Sequence, residues 1–85
     1  MLPGKASEAI CSQVARLLKE EREQRGLSLN VVAQKAGLTW HAVKYAETGL
    51  HSPTLDTLVR ISLGLGVDVD RILAQARQRA EGKGR

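Results

Sequence analysis

The stretch Ser28–Glu47, S-L-N-V-V-A-Q-K-A-G-L-T-W-H-A-V-K-Y-A-E, decides the fold of this chain. Val32, Ala33 and Ala36 recur at helical spacing, which predicts a short helix with one apolar face. Gly37 is placed to end that helix, because glycine accepts the positive φ of a helix C-terminus without a Cβ clash. The first half of the stretch therefore predicts a helix followed by a sharp turn.

The second half predicts another helix that packs against the first. Thr39 is a favourable N-cap, and a helix that starts there points Val43 inward. Ala33 faces the expected crossing, where a larger side chain would push the two helices apart. A helix-turn-helix and a generic αα-hairpin with a glycine C-cap both fit these features.

A longer series of residues follows the pattern of one known family. The series consists of Leu27-Ser28, Ala33, Lys35-Ala36-Gly37, Thr39, Val43, Glu47-x-Gly49, Pro53-Thr54-Leu55, Leu58, Ile61 and Leu65-Gly66-Val67. It runs from about Arg16 to Leu73 and resembles the Cro/repressor-type (XRE) helix-turn-helix family. The resemblance implies a compact, all-α, five-helix bundle of the lambda-repressor-like type, with the helix from Thr39 to Thr48 in the major groove of DNA.

Composition agrees with an all-α fold class. The chain has 85 residues, which is enough for one domain, and its hydrophobic content of 42% includes no Phe, one Trp and one Tyr. The core must therefore be aliphatic and alanine-rich, and no alternating run predicts a strand. We expect a flexible N-terminus at residues 1–6, a helix-turn-helix DNA-binding domain at residues 7–80 that starts at an N-cap on Ser7, and a flexible basic tail at residues 81–85.

Apolar residues at helical spacing predict three further helices. The first carries Ile10, Val14, Leu17 and Leu18, and the fourth and fifth carry Leu55, Leu58, Ile61, Ser62 and Leu65, then Val69, Ile72, Leu73 and Ala76. Gly64 interrupts the fourth, where we expect it to cost somewhat under about 1 kcal/mol of helix propensity.

Charge and cysteine content restrict the class of function. A formal net charge of +4 and a sequence pI near 9.7 favour a polyanionic partner. The single cysteine, Cys11, excludes an internal disulfide, and no signal-peptide core or membrane-spanning run occurs, so we expect a cytoplasmic protein without a membrane partner. His41, His51 and Cys11 are too dispersed for a metal site, and no Gly-rich phosphate loop is present. We expect no enzymatic activity, no cofactor and no metal.

Side chains on the outer face of the expected second helix of the motif are candidates for contact with DNA. On a helical wheel His41 and Tyr45 point outward, whereas Trp40 lies at the margin, where it either contacts a thymine methyl or sugar or covers the edge of the core. The predicted base-reading residues are Trp40, His41 and Tyr45. The predicted phosphate contacts are Ser28, Asn30, Thr39, Lys44, Thr48, His51 and Ser52. Leu29 stands where the family usually has a glutamine that meets a phosphate.

Two further sets of residues are expected to hold the structure together, one within the chain and one between two copies of it. Arg22 and Glu47 occupy places that the family commonly pairs, which implies a structural ion pair. The predicted dimer interface consists of Leu63, Val69, Leu73 and Ala76. Leu63 stands where the family pattern is usually polar, and Val69 and Leu73 lie nearby, with Ala76 one turn farther on.

The expected function is a transcriptional regulator, of repressor, antitoxin or controller type, that binds double-stranded DNA as a homodimer on an inverted repeat. The alternative is a protein-interaction module of the same fold, because Leu29, Val31, Trp40 and Leu50 all lie near the expected DNA side.

Overall fold

The computed structural model describes residues 2–50 and 52–82. This part of the chain forms five helices and no strand, which confirms the all-α fold class. The helices are α1 (Pro3–Gln24), α2 (Leu29–Ala36), α3 (Trp40–Thr48), α4 (Leu55–Leu65) and α5 (Val69–Gly82). None of these helices combines the length and the apolarity that crossing a bilayer requires.

One aliphatic core joins all five helices. α1 packs mainly against α5 and α2 against α4, while α3 lies against α1 and α2. The buried cluster consists of Val14, Leu17, Leu18, Val32, Ala33, Val43, Ala46, Leu58, Ile61, Leu65, Val67, Ile72 and Ala76. The buried hydroxyl of Ser62 donates to the Leu58 carbonyl at 2.9 Å, so the polar residue within the core is satisfied.

Local hydrogen bonds explain why α2 and α3 begin and end where they do. The Ser28 hydroxyl accepts from the Val31 amide at 3.1 Å, so α2 has a side-chain N-cap. The Thr39 hydroxyl accepts from the Ala42 amide at 3.2 Å, which confirms the N-cap predicted there. Gly37 ends α2 with φ +67°, and the next amide, that of Leu38, donates back to the Ala33 carbonyl at 2.9 Å.

The start of α1 differs from the expectation. The helix begins at Pro3 and follows Leu2, which is extended and makes no side-chain cap. Proline suits the first helical position, because its fixed φ is already helical and its missing N–H would have had no partner there. The predicted N-cap at Ser7 is therefore wrong, and residues 3–6, expected to precede the helix, belong to it. At the other end α5 includes residues 81 and 82 of the expected tail, whereas residues 83–85 lie outside the described residues.

Gly64 has a packing role that its helix propensity does not reveal. A Cβ at this position would lie 3.2 Å from the backbone nitrogen of Ala36 and 3.3 Å from its Cβ. The missing side chain thus allows α4 to cross the C-terminal end of α2 at close range, which holds the turn at Gly37 in place.

Candidate nucleic-acid interface

α3 buries one face and exposes the other. Val43 is completely buried and Ala46 nearly so, which turns His41, Lys44 and Tyr45 toward solvent. The inward position of Val43 is thus confirmed, and the side chains predicted to read bases share the exposed face. This face of α3 is therefore accessible to a partner.

Trp40 packs against two polar side chains of its own helix, His41 and Lys44. Its ring meets the His41 ring edge-on, with centroids 5.1 Å apart and an interplanar angle of 88°. The Lys44 ammonium lies 5.3 Å from the centroid of the indole ring, within cation–π range. Trp40 is 38% exposed, so these two contacts position its ring on the outer surface of α3.

The polar residues at the helix ends differ in whether their side chains can donate a hydrogen bond to a partner. Ser28 and Thr39 use their oxygens as cap acceptors, and Asn30 and Ser52 are exposed. The Thr48 hydroxyl, in contrast, donates to the Tyr45 carbonyl at 2.8 Å, so its single hydrogen is not available to a phosphate in this structure. The predicted phosphate contact at His51 lies outside the described residues.

The Arg22–Glu47 ion pair is present and fixes α3 to α1. The guanidinium donates to both carboxylate oxygens, through Nε at 2.7 Å and Nη2 at 3.0 Å, and through Nη1 to the Leu27 carbonyl at 2.9 Å. The two side chains are only 14% and 8% exposed. The hydrogen bond to Glu47 raises the pKa of Arg22, so the guanidinium stays charged. It therefore orients α3 relative to the end of α1.

Two clefts beside α3 are lined by a cation, Lys19, to which the sequence interpretation gave no role. A cleft of about 240 Å³ is lined by Ser12, Ala15, Arg16, Lys19, Glu47, Thr48 and Gly49. A second cleft, of about 160 Å³, is lined by Lys19, Arg22, Leu29, Lys44, Glu47 and Thr48. Lys19 lines both and shares the second with Lys44. The spacing of Arg16, Lys19 and Arg22 by threes along α1 was the signal that could have identified Lys19.

The apolar surface near this face is smaller than expected. Leu29 is half-buried and packs against the core, and Val31 is also half-buried. Leu50, at 77% exposed, and Trp40 remain as apolar side chains open to a partner.

The residues predicted for a dimer interface divide into exposed and buried ones. Leu63 is 74% and Leu73 39% exposed, and Val69 is half-buried. Ala76 is completely buried within the core of one chain, because α5 packs it against the other helices, so the prediction for Ala76 is wrong. Leu63 and Val69 border one shallow depression of about 180 Å³, which is also lined by Val59, Ser62, Val67, Asp68 and Asp70.

Comparison with known proteins identifies a family. A family model described as a helix-turn-helix domain matches residues 13–75, a range that contains the whole of α2, α3 and α4. No curated protein and no solved structure matches the chain significantly.

Proposed function

The chain belongs to the helix-turn-helix domain family, and on this premise we propose that it is a transcriptional regulator of the Cro/repressor (XRE) type that recognises a specific duplex DNA sequence. The observation that carries the proposal is the outer face of α3, where His41, Tyr45 and the partly exposed Trp40 lie side by side next to Lys44. An exposed helix of nine residues that follows a capped turn fits the width of the major groove.

The proposed roles follow from reach and chemistry. His41, Tyr45 and Trp40 read base edges, because they lie on the outermost face of α3. Phosphates are bound by Lys44 and Lys19 and by polar groups at the helix ends and the following loop, namely Ser28, Asn30, Thr39 and Ser52. The Arg22–Glu47 pair holds α3 at the angle at which both sets of contacts form together.

The dependence of binding on salt tests this proposal. A cationic surface that displaces counterions loses affinity for random duplex linearly in log[salt], with a slope of about −0.9 per neutralised phosphate. Lys19→Ala should reduce the magnitude of that slope by roughly 1 and weaken binding to all sequences alike. Arg77→Ala is the matched control, because Arg77 is an exposed cation on α5 that lines neither cleft beside α3 nor the outer face of that helix. Affinity that does not respond to salt would overturn the proposal.

A protein-interaction module is the second candidate, and the exposure of Leu50 together with Trp40 is what favours it. The packing of Leu29 against the core weighs against it, since that residue adds little apolar surface for a partner. Selection from a randomised duplex pool distinguishes the two functions. A DNA regulator enriches one motif, whereas a protein-interaction module enriches none.

A further inference from the structure

A shallow groove runs along the exposed face of α3. It has a volume of about 290 Å³ and is lined by Trp40, His41, Lys44, Tyr45 and Thr48. Consecutive residues of this set are one or three positions apart, so they lie along one side of the helix. Unlike the cleft that Ser12 and Arg16 line, this groove has mainly apolar walls.

The tryptophan that forms one wall is held in place from two sides. The His41 ring packs against it in a T-shaped arrangement, and the Lys44 ammonium lies over its face. A fixed apolar wall that faces outward is unusual on a surface meant for charged and hydrogen-bonding contacts. Removing this wall from water favours binding only if an apolar group of the partner packs against it.

Duplex DNA offers one such group at the depth that a recognition helix reaches. In the major groove the base edges present hydrogen-bond donors and acceptors, and the C5-methyl of thymine is the apolar exception. We infer that the groove between Trp40 and Tyr45 receives the C5-methyl group of a pyrimidine, with Lys44 as the positioning residue that holds the indole ring. This inference rests on the proposed function, because it names the chemical group that the same face of α3 reads.

Uracil substitution tests the inference on the full chain and its selected operator. Replacing one thymine at a time with deoxyuridine removes the methyl and leaves base pairing unchanged. At one position in each half-site we expect equilibrium binding to weaken roughly fourfold, the amount that burial of one such carbon group contributes. The same position with a G·C pair should bind roughly fourfold better once its cytosine carries a 5-methyl group.

Substitutions of the residues that line the groove should remove the preference for thymine over uracil. Trp40→Ala should bring the thymine-to-uracil ratio close to one. Trp40→Gln should do the same while it keeps a long side chain at the first position of α3, in case the alanine variant is unstable. Lys44→Ala should lower the ratio and Lys44→Arg should restore it, because a guanidinium also binds over an indole face. Arg77→Ala is the control that should retain the full ratio.

The outcomes separate the inference from the proposed function. If the wild type selects an operator but no thymine responds to uracil, or if Trp40→Ala keeps the full ratio, the methyl assignment is overturned. A ratio that 5-methylcytosine fails to reproduce overturns it as well. Failure to select any duplex sequence would instead overturn the proposed function.

Discussion

Arg22 and Glu47 are the pair of residues on which the placement of α3 depends most. Their side chains are largely buried, so removing one partner leaves the other with a desolvated, uncompensated charge. We expect Arg22→Ala and Glu47→Ala each to lower the free energy of unfolding by about 2 to 4 kcal/mol, and the double variant to lose much less than the sum. Urea unfolding of the four proteins measures this coupling.

The matched control for that cycle is the ion pair between Arg60 and Asp56 on α4. Its side chains are 47% and 73% exposed, and such pairs at i, i+4 contribute about 0.3 to 0.5 kcal/mol. If the losses of unfolding free energy at Arg22 and Glu47 are additive, the Arg22–Glu47 pair stabilises the fold no more than this surface pair does.

Base readers and phosphate contacts should respond differently to truncation. His41→Ala or Tyr45→Ala should reduce the preference for the selected operator over random duplex by about 1 to 3 kcal/mol, because a lost base contact matters only where that base occurs. Lys19→Ala should weaken both duplexes equally. Competition binding gives the ratio directly, and an unchanged ratio in the His41 and Tyr45 variants would contradict the base-reading role.

Among the helix contacts, the crossing of α2 and α4 depends on the missing side chain at Gly64. Gly64→Ala improves helix propensity by about 1 kcal/mol, but its methyl would approach the backbone of Ala36 to 3.2 Å, and overpacking typically costs about 1 to 3 kcal/mol. We expect a net loss of roughly 1 kcal/mol in thermal unfolding. Gly4→Ala in α1 is the control, since nothing lies within 4 Å of the added carbon, and it should be neutral or slightly stabilising. If Gly64→Ala stabilises the protein, α2 and α4 have room for a methyl group at their crossing and the packing role of Gly64 is contradicted.

α1 and α5 are joined by carboxylates that should make stability depend on pH. Glu21 accepts hydrogen bonds from Arg25 and Arg71, and Glu20 accepts two from Arg79. Burial opposes ionisation of Glu21, but the two arginines outweigh it, so its pKa lies below the usual range. The hydrogen bond from Arg79 likewise lowers the pKa of Glu20.

A carboxylate whose pKa is depressed by folding stabilises the protein above its unfolded pKa of about 4.3, and that contribution disappears as pH falls through the folded pKa. Glu21→Gln should therefore be less stable than the wild type at pH 7, with a difference that shrinks under acid. Chemical unfolding from about pH 7 down to about pH 3 measures the convergence across this window. Gln78→Ala, an exposed and uncharged position on α5, is the control whose effect should not vary with pH. A constant difference for Glu21→Gln would contradict the assignment.

Sequence predicts well those features that nearby residues determine. Ser28 and Thr39 cap α2 and α3 through amides three residues away, so their roles follow from local spacing. The Glu20–Arg79 pair joins residues 59 positions apart, and no local pattern indicates it. Periodicity identified the apolar face of α5, but it could not tell that Ala76 packs within its own chain whereas Leu73 stays exposed. That distinction depends on the angle at which α5 lies against α1.

At the scale of the whole molecule, we expect one copy of the domain to discriminate too weakly between its operator and other DNA sequences. A single recognition helix covers a few base pairs, and a genome offers on the order of 10⁶ or more competing sites, so we expect two copies of α3 to combine their specificity in a dimer. Leu63 and Val69 border one depression, and Leu73 follows Val69 by one turn of α5. Burial of this patch across a twofold axis would place two α3 helices about 34 Å apart on one side of an inverted repeat.

Leu63→Glu tests this dimer, because each buried leucine contributes about 1.5 to 3 kcal/mol and a twofold axis buries two copies. Sedimentation should show that the variant dissociates at concentrations where the wild type is dimeric, and its binding to the full operator should lose cooperativity. Leu55→Glu is the matched control on the same helix, since Leu55 is 70% exposed but does not line the depression, and it should remain dimeric. A wild type that stays monomeric at tens of micromolar, both free and on an isolated half-site, and that binds the full operator without cooperativity, would leave the apolar patch without a twofold partner. The specificity would then have to come from one copy of α3 alone.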